Sequence, residues 1–378
     1  MRMILSLLVA ILAIWLVSPT LEAQNVPRLP PDLKEIIFTS APAAGDYAEM
    51  LSNHTDPRYD WSKARPYITT IKHYAEHLTR VPNPSTGSNT YNILSGLGVF
   101  RKVRESRERG GLGLQQSIEV SALKHHNCTR TSVSEFDHVT NESADTALQI
   151  YRAGGNLRSL AVDSAMVGGN DCPVGRMSPE QVARWMVSWT GWVRSKVTAG
   201  LTEMRRLDPN LPVIPLRIGA IEPYPGFPVG THKAYITSEN AELRRANLPI
   251  LDFYHLDVDF GPIKDFEVMA RDIRDLSAFV RSQGMSFGLI VWGDDSKSPS
   301  TDNELFYVTT ANKKLTTFKQ YDLFSVIDEL VIQSWSSDSR GNKWNPTNVP
   351  ETNRLSHMAF VRHAIGCIAN EFSCTPYP

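Results

Sequence analysis

The sequence predicts an α/β chain closed into a single (β/α)8 TIM barrel. Three observations carry this. Eight short apolar runs alternate with amphipathic stretches from residue 34 onward, which implies parallel strands joined by crossover helices. The first run leads into Ala41-Pro42-Ala43-Ala44-Gly45, not the Gly-rich phosphate turn of an open dinucleotide-binding sheet. Polar residues also gather where successive runs end, and a barrel builds its active site at the C-terminal ends of its strands.

Taken in order, the predicted strands are residues 35–40, 75–81, 114–120, 157–163, 213–222, 250–260, 286–292 and 329–335. The run at 75–81 reads equally as the end of the helix before it. Helical spacing fills the intervals. Residues 61–74 form the first such stretch. Residues 91–109 stop at Gly110-Gly111, and 143–153 stop at Gly154-Gly155. Ser178-Pro179-Glu180-Gln181 opens the next helix with an N-cap, a Pro at the first position and an acid in the first turn. Val182, Trp185, Met186, Trp189, Val193 and Val197 then recur at helical spacing, so Trp185 and Trp189 are read as packing. Residues 265–283, 304–327 and 350–368 complete the set.

The expected layout is a signal peptide (1–23), a linker (24–33), the barrel (34–369) and a short tail (370–378). Met1-Arg2-Met3 supplies a positive start, residues 4–17 are almost wholly apolar, and Ala23 offers a small residue for cleavage. The apolar run is shorter than the roughly 20 residues that span a bilayer, so export to a secreted or periplasmic location is expected, with no stable membrane insertion. Cys128, Cys172, Cys367 and Cys374 are even in number and none belongs to a Cys-x-x-Cys pair, which suits two disulfides in an oxidising compartment. Of three connectivities the favoured one joins Cys367 to Cys374 and Cys128 to Cys172. Asn53, Asn127 and Asn141 match the N-glycosylation pattern.

The 378 residues are 42% hydrophobic and 21% charged, with a formal net charge of −1, so neither nucleic acid nor an anionic membrane is expected as partner. The P-loop, nucleophile-elbow and zincin motifs are absent from the sequence. The expected partner is a carbohydrate, with no cofactor and no metal.

The strand ends supply the candidate chemistry. Strand three ends with Glu119, strand four with Asp163, strand five with Glu222-Pro223-Tyr224, strand six with His255-Leu256-Asp257-Val258-Asp259, strand seven with Trp292-Gly293-Asp294 and strand eight with Gln333-Ser334-Trp335. Cleaving a glycosidic bond needs one carboxyl to protonate the leaving oxygen and another to attack or activate water. Asp163 and Glu222 are the first-choice pair, with Glu222 as proton donor, and Asp257 is the rival partner for Asp163. Glu119, His255, Asp259, Asp294 and Gln333 are assigned to substrate hydroxyls or to holding the acids. His255 reads equally as a core histidine bonded to a neighbour. Tyr224, Trp292 and Trp335 offer flat faces for sugar rings.

Ile-Glu-Pro-Tyr-Pro (221–225), His-Leu-Asp-Val-Asp (255–259), Gln-Ser-Trp (333–335) and Val-Pro-Glu (349–351) make the chain resemble secreted glycoside-hydrolase-like TIM barrels over residues 34–369. In the large retaining superfamily of such barrels, a Glu after an Asn ends strand four and a nucleophilic Glu ends strand seven. Here those places hold Val162-Asp163 and Gly293-Asp294. Families that use Asp on strands four and six match Asp163 with Asp257. Two other functions fit parts of the pattern. A metal-dependent hydrolase would draw on His255, Asp257 and His125-His126, and a non-catalytic barrel would bind glycans without cleaving them. A Schiff-base aldolase would want a lysine on a late inner strand, and strands five to eight carry none.

Overall fold

The computed structural model describes residues 29–39, 50–53, 55–75, 78, 90–123, 143–173, 175–211, 214–293, 303–333, 350–375 and 377. Eight parallel strands close a barrel in sequence order: β1 (Glu35–Thr39), β2 (Thr70–Tyr74), β3 (Gln115–Val120), β4 (Leu157–Asp163), β5 (Arg217–Tyr224), β6 (Phe253–Val258), β7 (Ser286–Val291) and β8 (Glu329–Gln333). β8 returns to β1, with Glu35 opposite Glu329 and Thr39 opposite Gln333. The helices of the described residues are α1 (Thr90–Gly96), α2 (Val99–Arg104), α3 (Ala144–Arg152), α4 (Ala165–Asn170), α5 (Pro179–Leu207), α6 (Val229–Arg245), α7 (Phe266–Ser282), α8 (Asn303–Gln320) and α9 (His357–Ile368).

Period-two alternation divides each strand between two cores. One face packs under the helices. α7 shows how: Met269, Ala270, Ile273, Leu276 and Val280 form a buried stripe, and Asp265 caps its first turn by accepting the amides of Glu267 and Val268. α5 opens on a capping box between Ser178 and Gln181, and Trp185 and Trp189 are both buried in this outer core. The other face lines the lumen, where Ile37, Ala161, Ile221, Phe253, Ile290, Trp292 and Val331 form a separate apolar cluster. Two lumen positions must be glycine. A Cβ at Gly219 would stand 2.4 Å from Phe253, and one at Gly288 would stand 2.7 Å from the His255 ring. Those missing side chains make room for the two rings on β6.

Five sequence expectations give way. The second strand is Thr70–Tyr74, not residues 75–81, and the stretch before it holds two short 3-10 turns at Pro57–Tyr59 and Arg65–Tyr67 where a helix over 61–74 was expected. The helix expected over 91–109 is broken at Gly98, whose φ of 66° is left-handed. No helix is expected between the strands at 213–222 and 250–260, yet α6 fills that interval as the crossover from β5 to β6. The last helix starts at His357, capped by Ser356, well after residue 350. Cys367 and Cys374 form a disulfide across the tail. Cys172 is also disulfide-bonded, while Cys128 and the expected signal peptide lie outside the described residues. Among the described residues no helix is long and apolar enough to cross a membrane.

Candidate functional site

Two polar layers close the lumen, one at each end of the apolar cluster. At the N-terminal end Glu35 accepts from Arg158 at 2.6 Å and from Arg217 at 3.2 Å, and Arg217 also donates to Glu329 at 2.7 Å. His255 Nε2 donates to the second oxygen of Glu329 at 2.7 Å. Two carboxylates thus meet two guanidiniums, and the layer is neutral with His255 uncharged. Burial lowers the His255 pKa, and its buried Nδ1 has no hydrogen-bond partner, so a proton there would stand without an acceptor. Burial would push Glu329 up, but His255 and Arg217 hold its carboxyl down at about 2. His255 is therefore a core histidine bonded to a neighbour, two residues below the mouth, and not a contact for substrate hydroxyls.

The C-terminal end is built differently. β2 contributes Lys72, β3 Glu119, β4 Asp163, β6 Asp257 and β8 Gln333, all on lumen-facing positions. Lys72 is buried and its ammonium donates to Glu119 and, at 2.9 Å, to Gln333. Asp257 accepts the indole N–H of Trp292, which follows β7. The Lys314 ammonium, reaching in from α8, sits 3.3 Å from the centre of the Trp292 ring. That cation covers one face of the indole, so Trp292 holds Asp257 more directly than it offers itself as a stacking surface. Burial raises the Asp257 pKa and the charge of Asp163 adds to it, while Lys314, Trp292 and Lys72 oppose the rise. The Asp163 carboxylate accepts the Ser164 hydroxyl at 2.6 Å.

The structure thus brings Glu119, Asp163, Asp257, Trp292 and Gln333 to one mouth. It does not bring Glu222 there. Ile221 points into the lumen, so its neighbour Glu222 points out and is buried under the helices, where its Oε1 accepts the Met166 amide at 3.0 Å. It cannot reach a substrate bound in the lumen, and its assignment as proton donor fails on that ground. Its surroundings are themselves acidic. Glu239 on α6 is wholly buried, and burial pushes its carboxyl up to about 8. Burial, with the charges of Glu239 and Glu222, also raises the phenols of Tyr235 and Tyr254. His232, held near 4 by burial, donates to the Phe227 carbonyl and accepts the Tyr254 hydroxyl at 2.7 Å.

Tyr224 also faces outward, donating its hydroxyl to Asp272 on α7 at 3.0 Å, and offers no surface to a sugar. Asp259 braces the turn after β6: its amide bonds the Tyr224 carbonyl and its carboxylate accepts the Gly261 amide, both at 2.8 Å. Asp294, Trp335 and the His125-His126 pair lie outside the described residues. Two residues at this end of the barrel escaped the sequence reading. Lys72 was missed because the second strand was placed at 75–81; the alternation Thr70, Lys72, Tyr74 was its signal. Lys314 lies on a helix, where a lysine reads as solvated, and nothing in the sequence marked it. Among the described residues no group of three His, Cys, Asp or Glu is placed to hold a metal ion.

No protein-family model matches this sequence, and no curated protein matches it. Solved structures share its architecture at a distance. A GH10 xylanase with a bacterial Ig-like domain, from termite gut, is 12% identical with a TM-score of 0.45, over 92% of this chain and 78% of that one. A mutant protein in complex with xylotriose is 8% identical with a TM-score of 0.46, over 88% and 97% of the two chains. D-psicose 3-epimerase with D-tagatose, from Clostridium cellulolyticum H10, is 10% identical with a TM-score of 0.40, over 88% and 96%. Likenesses at this level are compatible with many chemistries and single out none.

Proposed function

We propose that this chain is an exported glycoside hydrolase that cleaves an oligo- or polysaccharide between Asp163 and Asp257. The reading rests on one observation: two carboxyl groups from separate strands, β4 and β6, share the C-terminal end of the barrel closely enough for one charge to raise the other's pKa. Asp257 is the proton donor. Burial, with a smaller push from the Asp163 charge, raises its pKa above the ordinary carboxylate value, the direction a general acid needs. Asp163, partly exposed beside it, attacks the anomeric carbon directly or through a water. The C–O bond then breaks as Asp257 passes its proton to the leaving oxygen. Glu119 and Gln333, fixed by Lys72, present polar groups to sugar hydroxyls across the mouth. Disulfides suit an oxidising compartment outside the cytosol.

The test is a screen of the full chain against oligosaccharides and bacterial and plant polysaccharides, run beside Asp163→Asn and Asp257→Asn. Release of sugar by the wild type and by neither variant is expected. Equal turnover by the variants overturns the assignment, and saturable binding without turnover by the wild type identifies a glycan-binding barrel instead.

A further inference from the structure

β4 leaves the barrel through a strained turn. Ser164, directly after Asp163, has φ 54° and ψ 45°, a left-handed conformation that costs a residue with a Cβ roughly 1–2 kcal/mol. Bonds from β5 meet the chain on either side of the strain. The Ser164 amide donates to the Ile221 carbonyl at 2.7 Å, and the Met166 amide donates to the Glu222 carboxylate at 3.0 Å. Met166 is the second residue of α4, where a backbone N–H has no partner within its own helix. The helix then closes back on the turn, with the Gly168 amide bonded to the Ser164 carbonyl at 3.0 Å. Held in this conformation, Ser164 aims its hydroxyl at Asp163 Oδ1, 2.6 Å away.

We propose that Glu222 is a positioning residue for Asp163, fixing from behind the barrel wall the turn that orients the carboxylate in front of it. The inference rests on the reading of Asp163 as a reacting group. β5 serves both faces at once: Ile221 packs in the lumen while Glu222, buried and outward, takes up the first turn of α4. A carboxylate is suited to that place because it accepts strongly from a backbone N–H.

Glu222→Met removes the acceptor at similar volume, and Glu222→Gln keeps an acceptor oxygen. Hydrolysis is followed on the 2-chloro-4-nitrophenyl glycoside that the wild type cleaves fastest, and amide exchange is followed on the peptide covering residues 164–170. Glu222→Met is expected to lower kcat by about 10- to 100-fold with KM within about twofold, the loss expected when a reacting group is misplaced by an ångström, and to expose the α4 amides. Glu222→Gln is expected to restore both. Wild-type kcat in folded Glu222→Met, or a Gln variant as impaired as the Met one, overturns the proposal. If Glu222→Met does not fold, Glu222→Asp, which withdraws the carboxylate by one methylene, is read in its place. If the wild type cleaves none of the glycosides, the sugar-cleaving reading fails separately. Exchange alone then decides: protection lost with Met and kept with Gln supports the brace, and unchanged protection removes it.

Discussion

At the N-terminal end of the lumen, Glu35 and Glu329 meet Arg158 and Arg217; at the C-terminal end, a buried Asp257 lies within the field of the Asp163 charge. The same kinds of side chain occupy the same barrel wall, one turn of alternation apart on β6, where His255 belongs to the first layer and Asp257 to the second. In the lower layer every charge has an opposite within hydrogen-bonding distance, and the result is a closed plug. In the upper layer burial raises the pKa of Asp257, with a smaller push from the Asp163 charge, against the pull of Lys314, Trp292 and Lys72. Pairing makes charge structural, and like-charge crowding makes it reactive. The sharpest way to break this contrast is to remove one charge from each layer. Asp257→Asn should lower turnover by about 10⁴-fold, the upper end for a lost acid, with the melting temperature unchanged or higher. Glu329→Gln should lower stability by about 3–5 kcal/mol, because it leaves Arg217 buried and half-paired, while each molecule still folded turns over at the wild-type rate. Steady-state kinetics beside urea unfolding reads both. An inactive but fully stable Glu329→Gln would erase the distinction.

Behind β5, Glu239 offers a third case, a carboxyl whose pKa is set by burial. Glu239 ionises near 8 in the folded chain and near its ordinary 4.5 when unfolded. Below about pH 4.5 both states hold the proton. As pH rises toward 8 only the unfolded state gives it up, so this group's contribution to stability falls through that window and stays low above it. Glu239→Gln should therefore lower stability by about 1 kcal/mol at pH 4.5, the cost of seating the amide, and raise it by on the order of 3 kcal/mol at pH 8, at about 1.4 kcal/mol per pKa unit less that same cost. Unfolding at the two pH values measures it, and a pH-independent difference would show that Glu239 does not carry its proton in the native state. A smaller effect sharpens the lower layer. Arg217→Met and Glu329→Met each strand a partner, but together they replace the ion pair with apolar side chains. The double variant should be less destabilised than the sum of the singles by about 2 kcal/mol.

Much of the barrel was legible in the sequence because its strands are short apolar runs bounded by turns. β4 was read to the residue, and β7 and β8 from their first residue, since Leu157, Ser286 and Glu329 each begin a run with clear ends. β2 was not, for a physical reason that bears on the site. Its lumen face carries Thr70, Lys72 and Tyr74, and Lys72 exists to face Glu119 and Gln333, so the strand that serves the site looks least like a strand. The convergence of Asp163 with Asp257 followed from two strand ends. Glu222 was misjudged because its place at the end of a strand was read without its face: alternation on β5, where Gly219 and Ile221 mark the lumen side, turns it outward. His255 and Asp257 share a face, and only the tertiary position of Glu329 separates a plug residue from a mouth residue.

The finest difference between the layers is in how their acids are tuned. Glu329 is tied to a guanidinium that never loses its charge, whereas Asp257 has softer partners, the Trp292 N–H and the Lys314 ammonium. Both favour the ionised carboxylate and so hold its pKa below what burial would otherwise impose. Lys314→Met and Trp292→Phe should each raise it further. A general acid works only while protonated, so activity is lost as pH rises through its pKa, and the alkaline limb of the pH–rate profile should move to higher pH in both variants. Rates on the acid side should fall by less than about tenfold, because a weaker acid still donates but with less driving force. The same substitutions should leave the lower layer, and with it the acid-side unfolding of the chain, where it was. An alkaline limb that moves to lower pH, or does not move, would mean that Asp257 enters the reaction ionised and that the proton comes from another group.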